Sequence, residues 1–317
     1  MRKHHLLKIV SSIQEFSTSA GTVVTLGTFD GVHIGHQSIL DKVISSSKKL
    51  GCESLVLTFF PHPRMVLQHD SEIKLLNTIE EKSLLLEKAG IDNLVIHPFD
   101  QTFSQLTAEE FVKDILVNRF RVKKIIIGHD HRFGKNRTAT IDDLIRFGME
   151  YGFEVEQISA QEVDAVSVSS TKVRTALDEG NVALASQYLG YDYFFSGTVA
   201  EGRKLGRTIG YPTANIKIDE SYKLIPRNGV YIVSSEIGGE KVYGMMNIGI
   251  NPTVGGTAQS IEVYFFDFDQ DLYGKRITVT VYEKIRDEQK FASVDELRMQ
   301  LGKDQDVSFK YIANRFS

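Results

Sequence analysis

The chain has 317 residues, of which 42% are hydrophobic and 10% aromatic, which is enough for two buried cores. Its net charge of -4 excludes the strong basic field of a protein that binds nucleic acid or an anionic membrane surface. Its single cysteine excludes an internal disulfide. No signal-peptide pattern or membrane-spanning apolar run is present, so we expect a cytoplasmic protein.

The first part of the chain alternates short apolar runs with segments of helical periodicity. The apolar runs are TVVTLGTF, ESLVLTFF, NLVIHPF, KKIIIGHD and FEVEQIS. The stretches with apolar residues at helical spacing are TIEEKSLLLEKAG, TAEEFVKDILVNRF and TIDDLIRFGMEYG. Strands that are buried on both faces and separated by helices form parallel sheets, so this pattern predicts an α/β domain with a doubly wound, Rossmann-like sheet. Ligands of such sheets bind outside the carboxyl ends of the strands.

A stretch with two histidines, LGTFDGVHIGHQSIL at 26–40, contains the end of the first run. It predicts a strand, a turn and then a helix, a junction whose free N–H groups and helix dipole suit an anion such as phosphate. His33 and His36 flank Gly35, which has no Cβ to obstruct a phosphate. Two imidazole donors can meet the charge that builds when a phosphoanhydride is cleaved. The alternative is a helix cap with a packed imidazole.

A second polar stretch, VSVSSTKVRTALDEGN at 166–181, places Ser169, Ser170 and Thr171 at a predicted helix start. Lys172 and Arg174 add cations to it. Taken alone, the stretch favours an ordinary N-cap with solvated charges. Beside a phosphate-binding turn it indicates a clamp on a triphosphate, in which Arg174 binds oxygens as a fork.

The pattern changes after about residue 190, where short strands follow one another without helices. GVYIVSSEIGGEKVYGMMNIGI predicts two strands joined by a Gly-Gly hairpin, and SIEVYFFDF and KRITVTVYEKI predict two more. This succession predicts a small antiparallel β-barrel in residues 191–317, after an α/β domain in residues 1–190. SVDELRMQLGKD predicts a terminal helix with a capping box at Ser293 and Glu296 and an end at Gly302.

A glycine-rich stretch, GTVAEGRKLGRTIGYPTANI at 197–216, is a near miss to a P-loop. It has one residue too few between the glycines, and Arg207 stands where the P-loop has lysine, so we reject that interpretation. Amides at Gly202 and Gly206 can still cradle phosphates, although a flexible hairpin connection is an even alternative. The PTAN sequence that ends the stretch has its own alternative, a Pro-Thr turn that enters a strand.

An acidic residue interrupts the apolar strand SIEVYFFDF. Alternation places Ile261, Val263 and Phe265 on one face. Glu262 lies on the other face, and is either exposed at a sheet edge or a carboxylate that lines a pocket. The aspartates that follow lack the rest of a calcium loop, and we interpret them as turn formers: Asp267, Asp269 and Asp271.

The motifs together resemble a known family. GTFDGVHIGH with SSTKVR is similar to the two signature motifs of the nucleotidyltransferase superfamily, with Thr28 where asparagine is typical. Over essentially its whole length, and in motif order, the chain resembles the bacterial bifunctional riboflavin kinase/FAD synthetase family. The loop GHDHRFG at 128–134 resembles a family loop, but His131 stands where an aromatic is common, which leaves the roles of His129 and His131 open. FFPHP at 59–63 resembles a family loop near the flavin.

For residues 1–190 the resemblance implies an FMN adenylyltransferase, which transfers AMP from ATP to FMN and releases pyrophosphate and FAD. It implies that His33 and His36 bind the phosphates and stabilise the transition state. The ATP site that it implies consists of Gly27, Phe29, Asp30, Gly35, Asp130, Ser169, Ser170, Thr171 and Arg174. Phe59 and His62 are the implied flavin contacts.

For residues 191–317 the resemblance implies a riboflavin kinase, which phosphorylates riboflavin with ATP. Thr213 and Asn215 of the PTAN motif would hold Mg²⁺ and the ATP phosphates. Gly202 and Gly206 would lie over the phosphates, and Glu262 would be the catalytic base. Arg286 would contact the flavin, whereas Phe291 belongs to the core. The implied partners are ATP, riboflavin, FMN and FAD, with no nucleic acid or membrane, and self-association stays open.

Two rival functions remain at this point. One is a different adenylyl- or cytidylyltransferase with an unrelated β-domain, against which PTAN and Glu262 argue. The other is a flavin-binding regulator or carrier without catalysis, against which the presence of both histidines and of the PTAN–glutamate set argues.

Overall fold

A computed structural model describes residues 6–67, 73–128, 132–158, 168–202, 206, 209–253 and 256–316, without the side chains of 137 and 251–258. The chain divides into two compact units, Met1–Ser170 and Thr171–Ser317. Each unit contains one of the two predicted architectures.

The first unit is built on a parallel sheet in the order β1-β4-β3-β2-β5-β6. Its strands are β1 Lys8–Val10, β2 Thr22–Leu26, β3 Glu53–Phe59, β4 Asn93–His97, β5 Val122–Ile127 and β6 Glu154–Gln157. Every residue of β2 is buried, as expected of a central strand covered on both faces. The predicted doubly wound sheet is confirmed. Strand β1 was not predicted, because it is an edge strand of only three residues, all of them at least partly exposed.

Helices connect these strands and cover the sheet. They are α1 Ile34–Leu50, α2 Pro63–Leu67, α3 Ile79–Ala89, α4 Gln101–Ser104, α5 Ala108–Glu110, a π-helix Phe111–Arg119 that continues α5, and α6 Ile141–Tyr151. The three helical stretches predicted between the strands are all found here. Helix α3 begins with a capping box between Thr78 and Glu81, which satisfies backbone N–H groups at its start.

The strand order places a switch point beside β2. The chain runs from β2 outward to β3 and β4, then returns to β5 on the other side of β2, which pairs with both β3 and β5. Ligands of open α/β sheets bind in the crevice at such a point. Two stretches therefore lie at the carboxyl ends of neighbouring strands: the one that follows β2, starting at Gly27, and the one that follows β5, starting at Gly128.

An open cavity of about 540 Å³ lies at the amino-terminal ends of the strands. It lies where β3 and β6 begin, and its lining includes Cys52, Lys123 and Glu154. None of the predicted site residues is among those that line it.

The second unit contains a closed barrel in the order β10-β11-β8-β7-β12-β9, with antiparallel pairs throughout. Helices α7 Ser170–Asp178, whose first residue belongs to the first unit, and α8 Val182–Leu189 precede it. The strands are β7 Phe194–Ala200, β8 Ala214–Lys217, β9 Gly229–Ile237, β10 Glu240–Thr253, β11 Gly256–Phe265 and β12 Arg276–Arg286. The turn between β9 and β10 uses Gly238 at φ 64° and Gly239 at φ 86°, as a tight hairpin requires. The predicted barrel and hairpin are confirmed.

The terminal helix, α9 Val294–Phe316, corrects one prediction. Ser293 does accept a hydrogen bond from the backbone N–H of Glu296, but the helix continues through Gly302 instead of ending there. A single interior glycine costs a helix about 1 kcal/mol relative to alanine, which tertiary packing readily offsets. Here Asp304 and Ser308, beyond the glycine, are fully buried in the second unit.

Candidate active sites

The turn between β2 and α1 has an unusual backbone. Phe29 and Val32 have φ values of 45° and 38°, in the left-handed region, and Gly31 between them has φ 87°. This region disfavours a β-branched residue such as Val32, so the surrounding structure must hold the turn in place. Gly27 joins the turn to the sheet, because its N–H donates to the carbonyl of Leu57 at 3.0 Å.

Both histidines of the predicted phosphate site lie at this turn. His33 is the N-cap of α1, and its ring stacks on that of His36 with centroids 3.7 Å apart and planes 20° apart. The ring of Phe29 also contacts His36, with the two ring centroids 5.0 Å apart. His33 is only 6% exposed and His36 is half-buried, so both rings are packed against the protein. In the described part of the chain neither Nδ1 atom has a hydrogen-bond partner.

Burial sets the charge of these two rings. Desolvation lowers the pKa of His33 to about 4. Desolvation also lowers the pKa of His36 well below its usual value, helped by the nearby charges of His33 and Lys82. Both imidazoles are therefore neutral at pH 7. A neutral imidazole has one N–H donor, so the pair can present two donors to a phosphate without a fixed positive charge.

Buried polar groups fix the turn from several directions. The Asp30 carboxylate is buried and accepts a hydrogen bond from the N–H of Leu76 at 2.9 Å, while its carbonyl accepts one from Ser170 Oγ at 2.8 Å. The Thr28 carbonyl accepts hydrogen bonds from Lys82 Nζ at 2.7 Å and from Thr58 Oγ1 at 3.2 Å. The sequence motif did not reveal Lys82, which lies more than fifty residues downstream on α3.

The second polar stretch starts α7 as predicted. Ser170 is its first residue and contacts Asp30 of the turn, so the structure brings this member of the stretch to the histidine motif. Ser169, just before the helix, is exposed. Thr171 and Arg174 follow on α7 and belong to the second unit. Asp130, His129 and His131 lie outside the described residues.

An aromatic cluster lies at the carboxyl ends of β3 and β4. Phe59, the last residue of β3, has its ring 5.6 Å from that of Phe99 and 5.3 Å from that of Phe103. The ring of His97, at the end of β4, is 4.7 Å from Phe103. His62 begins the next turn, where its Nδ1 accepts the N–H of Arg64. The sequence indicated Phe59 and His62. It did not indicate His97, Phe99 and Phe103, because only the pairing of β3 with β4 brings them to Phe59.

The predicted kinase residues meet on the barrel surface. Thr213 Oγ1 donates to Glu262 Oε2 at 3.3 Å. Glu262 of β11 pairs with Asn215 of β8 on one side and with Asn247 of β10 on the other, so the three side chains share one face. Ile261, Val263 and Phe265 are buried on the other face, as the alternation predicted, and Glu262 is half-buried. Asn247 was not singled out, since only the register places it here.

The two predicted glycines lie close to this face. A Cβ on Gly202 would come within 2.0 Å of Asn215 Nδ2, and a Cβ on Gly206 within 2.1 Å of the Tyr211 carbonyl. Only glycine fits at such distances without displacing its neighbour. After β7, the next element in the described part of the chain is the short strand β8, whereas a P-loop opens a long helix, which agrees with the rejection of a P-loop.

Arg286 has a buried partner. Its Nε donates to both carboxylate oxygens of Asp304 at 3.0 Å, and its Nη2 donates to Asp304 Oδ2 at 2.8 Å. Its Nη1 donates to the Asp287 carbonyl, and its guanidinium lies 5.7 Å from the ring of Phe291. This bidentate pair fastens α9 to the end of β12. A flavin contact by Arg286 stays a prediction, and it would have to use Nη1 or the face of the guanidinium.

The barrel face offers oxygen ligands for a cation. Among the described residues no group of three or more His, Cys, Asp or Glu side chains could hold a metal ion. The hydroxyl, amide and carboxylate oxygens of Thr213, Asn215 and Glu262 nonetheless form a hard donor set on one face. Mg²⁺ uses few protein oxygens, because it retains waters and binds substrate phosphates, so the residues fit this ion.

Comparison with known proteins follows the same division of the chain. Residues 15–172 match the family model described as FAD synthetase, and residues 189–312 match the one described as riboflavin kinase. Among solved structures, one titled as a macrolide-efflux protein from Streptococcus pneumoniae has a TM-score of 0.85 at 32% identity, over 98% of this chain and 99% of that one. In the described ranges, no helix is long and apolar enough to cross a membrane.

Curated relatives match over nearly their full length. A bifunctional riboflavin kinase/FMN adenylyltransferase of Escherichia coli (strain K12) is 40% identical over 94% of this chain and 96% of the relative. A protein of the same description from Listeria monocytogenes is 39% identical over 93% of this chain and 94% of the relative. The chain therefore belongs to the family of bifunctional riboflavin kinase/FMN adenylyltransferases.

Proposed function

We infer that this chain makes FAD from riboflavin in two reactions that each use ATP. The second unit phosphorylates riboflavin to FMN, and the first transfers AMP from ATP to FMN and releases pyrophosphate. One observation carries the proposal: a pair of stacked neutral histidines at a strand–helix turn coexists in one chain with a glutamate hydrogen-bonded to the threonine of PTAN.

For adenylyl transfer, an oxygen of the FMN phosphate attacks the α-phosphorus of ATP. The bond from that phosphorus to the oxygen bridging it to the β-phosphorus breaks, and pyrophosphate leaves with the electron pair. The nucleophile is already anionic, so no general base is required. His33 and His36 would donate their N–H groups to the phosphate oxygens on which charge develops, in a turn that is fixed before substrate arrives.

For the kinase reaction, the primary hydroxyl of riboflavin attacks the γ-phosphorus of ATP and ADP leaves. Glu262 would accept the hydroxyl proton, and its hydrogen bond with Thr213 orients the carboxylate. Thr213 and Asn215 would hold Mg²⁺, which when bound neutralises phosphate charge. Gly202 and Gly206 would let the backbone approach the phosphates.

The remaining assignments are part of the same proposal. The ATP site of the adenylyltransferase would include Gly27, Phe29, Asp30, Gly35, Asp130, Ser169, Ser170, Thr171 and Arg174. Phe59, His62 and Arg286 would contact flavin. The functional domains would be residues 1–190 and 191–317. A cytoplasmic location, which the single cysteine suits, is a further proposal, and self-association stays open.

The test is incubation of the chain with riboflavin, ATP and Mg²⁺, followed by chromatography of the flavins. The proposal expects FMN first and FAD later. Supplying FMN in place of riboflavin should yield FAD directly. A flavin carrier would give neither product, and an adenylyltransferase without kinase activity would convert FMN but not riboflavin.

A further inference from the structure

A buried lysine lies next to the histidine turn and has no part in the reaction as written above. Lys82 is on α3, is 4% exposed, and donates from Nζ to the Thr28 carbonyl at 2.7 Å. Burying an ammonium group is unfavourable unless it is well partnered, and an apolar side chain would fill the position without that cost. The position of the Thr28 carbonyl indicates the role of the ammonium group of Lys82.

The partner is the carbonyl at the start of the strained turn. The Thr28 carbonyl belongs to the peptide that leads into Phe29, whose φ is 45°. Lys82 and Thr58, from α3 and β3, both donate to this one oxygen. The ring of Phe29 in turn contacts His36 at 5.0 Å. A short chain of contacts therefore runs from the ammonium group to the imidazole.

The charge of Lys82 also acts on the groups around it. Burial lowers the pKa of Lys82 to about 8, which still leaves it mostly protonated at pH 7, and the Asp30 carboxylate favours its charged form. Lys82 in turn lowers the pKa of His36 and so favours the neutral imidazole. Asp30 is itself held by the N–H of Leu76. One cation thus influences the backbone, the acid and the histidine of the same turn.

We propose that Lys82 is a positioning residue for adenylyl transfer: its ammonium group holds the 28–32 turn in the conformation that directs His33 and His36 at the reacting phosphates. This inference rests on the proposed function of the first unit. A lysine that only stabilised the fold would alter the yield of folded protein, but not the turnover of the molecules that are folded.

The test compares Lys82→Met, Lys82→Gln and Lys82→Arg with the parent chain. Lys88→Met, an exposed change on the same helix, is the matched control. For each chain, kcat and the KM for ATP are measured for FAD formation from FMN, and riboflavin phosphorylation by the same molecules reports the second unit. A turn that is loosened by about an ångström can lose ~10²-fold in rate. We expect Lys82→Met to lower kcat 10- to 100-fold with KM for ATP within about threefold, and Lys82→Arg to recover at least part of the loss.

Each outcome decides between the explanations. A parent that makes no FAD from FMN contradicts the proposed function itself. An active parent with Lys82→Met at parental kcat, or with only KM raised, contradicts the role of Lys82. If Lys82→Met does not fold, Lys82→Gln decides, because glutamine removes the charge and keeps a polar N–H donor on a side chain shorter by one carbon. A lowered kcat in folded Lys82→Gln supports the proposal, and a parental kcat overturns it.

Discussion

At the scale of single residues, the histidine motif illustrates how packing sets chemistry. The spacing of His33 and His36 indicated phosphate binding, but it could not reveal that the rings stack on each other at 3.7 Å inside the protein. Burial makes both imidazoles neutral, so they act as hydrogen-bond donors and not as cations. Positive charge to balance the triphosphate must then come from other groups, and Arg174 is the proposed source.

His36→Ala should lower FAD synthesis from FMN ~10²–10³-fold, since it removes one preorganised donor from the developing phosphoryl charge. His36→Gln, which keeps a donor, should lose less. Riboflavin phosphorylation should stay near the parental rate, so FMN should accumulate. A time course of flavin products, with circular dichroism of each variant, measures this. Parental FAD formation in His36→Ala would mean that the motif is structural.

The buried histidines should also make stability depend on pH. The pKa of His33 is about 4 in the folded chain against 6.5 as its ordinary value. Between these values the unfolded chain binds a proton that the folded chain does not, so the free energy of unfolding falls as pH falls from 6.5 towards 4. Urea denaturation at pH 7 and pH 5 should show that His33→Gln loses less stability than the parent, by up to about 2 kcal/mol. Equal losses in both chains would contradict the buried, neutral state of His33.

At the scale of secondary-structure elements, the terminal helix shows where local signals fail. Glycine is typical of the residue that ends a helix, yet α9 continues past Gly302 to Phe316. The bonds from Arg286 to Asp304 lie on the far side of this glycine, and they couple the helix to β12. The sequence could not show this pairing, because the partners are eighteen positions apart and lie on different elements, and the resemblance implied a flavin contact for Arg286 instead.

Gly302→Ala should therefore stabilise the second unit. The new Cβ would meet only Tyr211 Oη at 3.8 Å, an ordinary contact, and alanine is favoured over glycine in a helix by roughly 0.5–1 kcal/mol. The free energy of unfolding in urea should rise by about that amount, with both enzymatic rates unchanged. A decrease would indicate that the helix is interrupted at this residue in solution.

The sheet and barrel were predictable because their signals are local. Apolar runs and their spacing identified β2 to β6, and alternation identified the buried face of β11. The residues that surround each site and contact its functional side chains were not predictable. Lys82, Asn247 and His97 each reach their site through tertiary pairing, and no short motif contains them.

At the scale of the whole molecule, the two reactions follow in chemical sequence. The product of the kinase, FMN, is the substrate of the adenylyltransferase, and the histidine turn and the PTAN–glutamate set lie in different units. The central claim is that these sets are separate, so that damage to one leaves the other reaction intact. Thr213 and Glu262 belong to the second unit, whereas His33, His36 and their supporting contacts belong to the first.

The most direct test is Glu262→Gln, assayed for flavin products with riboflavin and, separately, with FMN. Loss of the carboxylate removes the proton acceptor while glutamine keeps the shape and an oxygen for Thr213. We expect FMN formation from riboflavin to be abolished and FAD formation from supplied FMN to stay close to the parental rate. Loss of both activities in a folded variant would contradict the assignment of two separate sites, and loss of neither would remove Glu262 as the base.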